Sequence, residues 1–237
     1  MSVEGSSATI TGNTIESSTR AGITLNNGGT ARIGVTDLGA ALGNVIRSNG
    51  GDGIDIFQAS NALHFGNTVE QNSGTGLFVA RATARMLGGH TIQNNGNHGI
   101  WVGAGASLYQ GAGGGFTLTP SHDTITGNGN TSGGSGVYSN GTSVVELTDA
   151  TISDNARHGI WARQQVSIRL ARTTVAVRVV NGTPTGNAID LALGSNVDLT
   201  AGPPPVGVQG DLHCADASSH VSGDVSGLTG ANDCTSF

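Results

Sequence analysis

The 237 residues include 40 Gly, 11% charged and 4% aromatic residues, with a net charge of −6 and ten basic residues that are all Arg. An acidic chain without Lys lacks the phosphate-neutralising charge on which nucleic-acid affinity depends, so nucleic acid is not an expected partner, and a strongly polyanionic ligand fits poorly. Apolar runs fall far short of the about eighteen residues a membrane span needs. Met1-Ser-Val-Glu-Gly lacks the basic and apolar regions of a signal peptide, and the chain reads as an excised or mature domain.

From residue 10 onward one pattern recurs: an apolar residue, polar residues ending in Asn, a short turn ending in Gly, then apolar-x-apolar. Its first apolar position is Ile15, Ile46, Val69, Ile92, Ile125, Ile152 and Val175, so the commonest step is 23 residues. Three residues on stand Ser18, Asn49, Asn72, Asn95, Asn128, Asn155 and Arg178, followed by Gly22, Gly53, Gly76, Gly99, Gly136 and Gly159, with Ala188 last. A fixed period of this size marks a solenoid whose units bury their apolar faces only by stacking. Within each unit the alternation has period two, as in Ile54-x-Ile56 and Leu77-x-Val79, which is the signature of strand. A second run follows in each unit: Leu63-x-Phe65, Ala84-x-Met86, Ala106-x-Leu108, Val145-x-Leu147, Ile168-x-Leu170 and Val197-x-Leu199. With the opening Thr-Ile run this gives three short strands per unit, an all-β parallel β-helix of about seven coils. The stacked Asn are expected to form a buried ladder, and the Gly column to supply positive φ.

Insertions fall at 34–43, 109–122 and 127–134, where the step lengthens. Residues 1–200 are assigned to the β-helix domain. After Gly202-Pro-Pro-Pro the repeat is expected to stop, leaving 201–237 as a C-terminal cap or arm with a disulfide between Cys214 and Cys234. The alternative for that tail is a zinc site from His213, Cys214, His220 and Cys234, whose spacing matches no compact zinc motif. A disulfide implies an oxidising compartment, so the localisation expected is extracellular or cell surface.

The units Asn67-Thr-Val-Glu-Gln-Asn-Ser-Gly-Thr-Gly-Leu and His90-Thr-Ile-Gln-Asn-Asn-Gly-Asn-His-Gly-Ile resemble the generic coil of the right-handed parallel β-helix family, the pectate lyase and polygalacturonase superfamily, over about residues 10–200. The resemblance implies a right-handed solenoid and leaves the activity open, since one such scaffold hosts many chemistries. Asp52-Gly-Ile-Asp55, Asn97-His98-Gly-Ile and Arg157-His158-Gly-Ile look like pieces of polygalacturonase motifs. The coil between Asp55 and His98 departs from them: it reads Gly74-Thr-Gly-Leu-Phe78, without the expected aspartate pair, and no Arg-x-Lys follows.

Function is read from the outward column after each Gly: Thr24, Asp55, Phe78, Trp101, Tyr138, Trp161 and Asp190. Four of the nine aromatic residues occupy consecutive places there, including both Trp. At about 4.8 Å per coil this stripe runs on the order of 15 Å, and aromatic rings flanked by polar groups suit sugars. The function expected is non-catalytic binding of a polysaccharide or cell-surface glycan through Asp55, Phe78, Trp101, Tyr138 and Trp161, without cofactor or metal. One alternative is a polysaccharide lyase or epimerase using His98, Tyr138, Arg157 and His158, with calcium as its cofactor. Another is a fibre or stalk whose stripe is a homo-oligomer interface, or is covered by the insertion around Phe116 or by the tail. For Tyr138, Arg157 and His158 the competing structural reading is a polar turn residue facing solvent. A further outward column, Arg85, Ser107, Glu146, Arg169 and Asp198, reads as a solvated face of weak ion pairs.

Overall fold

A computed structural model describes residues 1–36, 39–111, 122–200 and 205–236. The expected position of Phe116 lies outside these residues. Among them there is no helix, and short strands alternate through three sheets. Sheet A holds nine strands from Ser2–Glu4 to Leu212–Cys214, sheet B ten from Ser7–Ile10 to Thr235–Ser236, and sheet C eight from Thr14–Glu16 to Gly207–Gln209. Every pairing within these sheets is parallel, each strand joining its equivalent one coil away, as Leu77 with Ile100 and Val79 with Val102. The chain is an all-β parallel β-helix, as its repeat predicts.

Alternation fixes which side chains go in. Ile23, Leu25, Ile54, Ile56, Ile100 and Val102 are buried from sheet A, and Ile46, Ile92, Ile125 and Ile152 from sheet C. Burying each such side chain contributes roughly 1.5–3 kcal/mol, and no unit reaches that burial without its neighbours. The Asn ladder forms as expected. Asn95 donates from its backbone N (3.1 Å) and Nδ2 (3.0 Å) to Asn128 Oδ1, and its own Oδ1 accepts the same pair from Asn72.

The glycine column has a different cause from the one expected. Gly22, Gly53, Gly76, Gly99, Gly136 and Gly159 do not adopt positive φ. What requires them is proximity: a Cβ on Gly76 would lie 2.6 Å from Ile92 Cγ2 and 2.8 Å from Asn95 Nδ2. Positive φ falls instead just ahead of the Asn ladder, on Ser17, Ser48, Gln71, Asn94, Gly127 and Asp154.

A second ladder runs at the turn entering sheet C, which the repeat pattern did not bring out. The backbone N of Asn13 donates to Asn44 Oδ1, that of Asn44 to Asn67 Oδ1, that of Asn67 to His90 Nδ1, and that of His90 to Asp123 Oδ1. It ends in a buried polar cluster, where Gln110 Nε2 also donates to Asp123 and the ring of His90 meets that of His64 edge-on at 6.2 Å.

In sheet B the register corrects one strand. Ala62 and His64 pair with Ala84 and Met86 and point inward, whereas Leu63 lies opposite Arg85 and points out. The expected Leu63-x-Phe65 run is thus one residue out of phase. Similarly Arg85 pairs with Tyr109, not Ser107, so the outward column is Arg85, Tyr109, Glu146, Arg169, Asp198.

The repeat does not stop at Pro203. Gly207–Gln209, Leu212–Cys214 and His220–Gly223 extend sheets C, A and B in turn. Cys214 and Cys234 form the expected disulfide, which ties the last strand of sheet A to the terminal segment. Both sulfurs are engaged in it, which removes the zinc alternative at this tail.

Candidate functional site on the aromatic face

Parallel register places Thr24, Asp55, Phe78, Trp101, Tyr138, Trp161 and Asp190 in one outward file on sheet A, and His213 continues it. Phe78, Trp101, Tyr138 and Trp161 are each half-buried. Phe78 and Trp101 meet edge to face at 4.7 Å, Trp101 and Tyr138 tilt at 5.7 Å, and Tyr138 and Trp161 at 4.7 Å. Successive rings therefore turn much of their surface toward one another, and the stripe is an interlocked row and not a set of flat, outward faces. Such contacts contribute about 0.5–1.5 kcal/mol per pair beyond their buried area.

Polar groups line this row. Asn140, on the same strand as Tyr138, accepts from Trp101 Nε1 (3.4 Å) and donates from Nδ2 to the Tyr138 hydroxyl (3.3 Å). Trp161 is held by two cations, with the Arg157 guanidinium carbon 4.3 Å and the Arg163 carbon 4.6 Å from its ring centre. Among the described residues neither arginine forms an ion pair. Trp161 Nε1, Arg163 Nε and Asp55 Oδ1 are buried without a hydrogen-bond partner. Burial, and then the charge of Asp52, pushes the Asp55 carboxyl up to about 7.

Of the residues before each Gly, Thr75, His98, Ser135 and His158 are buried and not solvent-facing. His98 lies 8% and His158 6% exposed. The cause is a further acceptor file: Asp52 Oδ1 takes the Thr75 N–H at 2.5 Å, His98 Nδ1 that of Ser135 at 2.9 Å, and His158 Nδ1 that of Asn187 at 3.0 Å. His98 also stacks on Tyr138, 4.7 Å apart and within 17° of parallel. Burial pulls both imidazoles down to about 4, with Arg157 adding to the shift, while Asp190 opposes it at His158.

This geometry decides what the histidines do. With Nδ1 accepting a backbone N–H, the neutral ring carries its proton on Nε2 and is a donor there. A ring so occupied has no free lone pair with which to abstract a substrate proton. The structure thus gathers His98, Tyr138, Arg157 and His158 around the stripe, but holds the two rings as structural acceptors. Asn140, Arg163 and Asp190 were missed as site members. Asp190 stood in the outward column read from the repeat but not among the binding residues: it follows Trp161 in the file and accepts from Asn187 Nδ2 at 2.8 Å. Among the described residues no three of His, Cys, Asp or Glu are grouped to hold a metal ion, and no helix is long and apolar enough to cross a membrane.

Residues 2–175 match the family described as right handed beta helix region. The chain belongs to this family. Membership adds the hand of the solenoid to the topology seen above. No curated protein sequence matches the chain. Among solved structures, this right-handed β-helix is similar to an alginate lyase from Paenibacillus sp. str. FPU-7, with 12% identity and a TM-score of 0.34 over 93% of this chain and 95% of that one.

Proposed function

We propose that this right-handed β-helix is a non-catalytic saccharide-binding domain, exposed outside the cell, that holds a glycan along Asp55, Phe78, Trp101, Tyr138 and Trp161. The observation that carries this reading is the outward file of four half-buried aromatic rings with Asn140, Arg157 and Arg163 beside it. A hydroxyl-rich ligand offers donors and acceptors to those polar groups, and its C–H faces pack against the ring surface left exposed.

Binding without turnover is supported by the engagement of His98 and His158 Nδ1 with backbone N–H groups. The extracellular assignment rests on the Cys214–Cys234 disulfide, a bond that persists in oxidising compartments. The test is retention on immobilised neutral polysaccharides. Trp101→Ala and Trp161→Ala are expected to lose retention with an unchanged circular dichroism spectrum, and product release from any retained polysaccharide would sink the non-catalytic reading. A change of oligomeric mass in the same variants, without loss of retention, would favour the interface alternative.

A further inference from the structure

The aromatic face is charged in opposite senses at its two ends. Beside Trp161 stand the guanidinium groups of Arg157 and Arg163. At the other end Asp55 precedes Phe78 in the outward file, with Asp52 just ahead of it on the same coil. From Asp55 to Trp161 the file takes four strand steps, about 19 Å at the usual strand spacing. Among the described residues no Arg or His side chain forms an ion pair with Asp52 or Asp55. Thr24 and Phe78, the file neighbours of Asp55, carry no charge, and Asp55 Oδ1 has no hydrogen-bond partner. Burial and the charge of Asp52 both disfavour the Asp55 carboxylate, and a cation brought from outside would offset both.

Two rings flank this carboxylate. Phe57 lies two residues on in the same strand and so on the same face, because side chains alternate along a strand. Phe78 lies beside Asp55 on the next strand. Both rings and the carboxylate are half-buried. The face of an aromatic ring attracts an ammonium group, so carboxylate and rings favour the same kind of guest. A calcium ion fits less well: it takes roughly six to eight oxygen ligands, and among the described residues no three of His, Cys, Asp or Glu are grouped to hold a metal ion.

We infer that the Asp55 end of the aromatic face is a subsite for the ammonium group of an amino sugar, held by Asp55 between Phe57 and Phe78. The inference rests on the saccharide-binding reading of this face and adds the class of saccharide. An ammonium beside a carboxylate makes a charge-assisted hydrogen bond. Arg157 and Arg163 repel a second ammonium at the far end, so the oligosaccharide that fits carries its free amine at one terminus and uncharged, N-acetylated residues over Trp101 and Trp161. The net charge of −6 draws such a cationic ligand toward the chain.

Calorimetric titration of the full chain at pH 7 tests it. The probes are fully N-acetylated chitotetraose, its two isomers with a single free amine at one or the other terminal residue, and methylammonium as a free cation. One of the two isomers is expected to bind at least about tenfold more tightly than the fully acetylated tetramer, the size of a hydrogen bond to a charged group. Asp55→Asn is expected to abolish that preference while leaving the acetylated tetramer and the circular dichroism spectrum unchanged, and Trp101→Ala to weaken every tetramer. If neither isomer exceeds the acetylated tetramer, or if the preference persists in Asp55→Asn, the ammonium subsite is overturned, while Trp101-dependent binding of the acetylated tetramer keeps the saccharide reading. Failure of every tetramer to bind overturns both, and methylammonium binding as tightly as the amine-bearing isomer would reduce the subsite to one for free cations.

Discussion

His90 shows most plainly how one position in a ladder sets a property of the protein. Its Nδ1 occupies a place that Asn44 and Asn67 fill with an amide oxygen, so it is an acceptor that also titrates. Burial pulls it down to about 4 against the opposing effect of its backbone hydrogen bonds to His64 and Asn67, and burial followed by the charge of His90 pulls His64 to about 3. A histidine depressed in the folded state contributes stability that is complete above its unfolded value near 6.5 and is lost as pH falls toward the folded value. Between pH 7 and pH 5 the loss from His90 amounts to about 2 kcal/mol. His90→Asn keeps the acceptor and removes the titration. Urea denaturation at both pH values is expected to show a smaller acid-induced loss in this variant; an equal loss would mean that His90 is hydrated in the native state. Asp123 works in the opposite sense: burial raises it to about 7, so its share of stability is complete below about 4 and is lost as pH rises through 7. Asp123→Asn is therefore expected to stabilise the protein at pH 8, where the carboxylate would otherwise be buried and charged.

At the scale of the coil, the Gly and Asn columns act as one device. Gly76 lets the strand approach Ile92 and Asn95 of the next coil, and Asn95 in turn closes hydrogen bonds to the coils on either side. Gly76→Ala is expected to cost roughly 1–3 kcal/mol through overpacking, and Asn95→Ala roughly 2–4 kcal/mol through several unpaired buried groups; guanidinium unfolding midpoints measure both. A neutral Gly76→Ala would show that the coils can separate to admit a methyl group. The strands of sheets A and C were legible because Ile, Val and Leu recur there at one parity between fixed Gly and Asn. Sheet B was less so, because the interior at one coil takes Ala62 and His64 while Leu63 faces out, and residue apolarity points the wrong way. The aromatic file was legible for the same reason as sheet A. Ring orientation, the burial of His98 and the roles of Asn140 and Arg163 depend on χ angles and on contacts between coils that no local pattern specifies.

Across the whole molecule, stability is a sum over neighbouring coils, and the ends of the stack are its weak points. The C-terminal coil was hidden in the sequence because Gly, Ser and Asp replace the Asn-Gly pattern after residue 205, while strands Gly207–Gln209, Leu212–Cys214 and His220–Gly223 still add to the three sheets. The Cys214–Cys234 bond closes it across a separation of 20 residues, a constraint of roughly 3 kcal/mol in the chain-entropy view. Reduction is expected to lower the thermal midpoint and to raise amide exchange first in residues 205–236; exchange that rises uniformly along the chain would mean that the stack unfolds as a single unit. Both tryptophans of the chain, Trp101 and Trp161, lie on the aromatic face. Acrylamide quenching of their fluorescence, with and without a panel of neutral oligosaccharides, reports on that face directly. Ready quenching in the free protein is expected, with protection by at least one saccharide that is lost in Trp101→Ala; quenching that no saccharide alters, or tryptophans already shielded in the free protein, would rule out saccharide binding on this face.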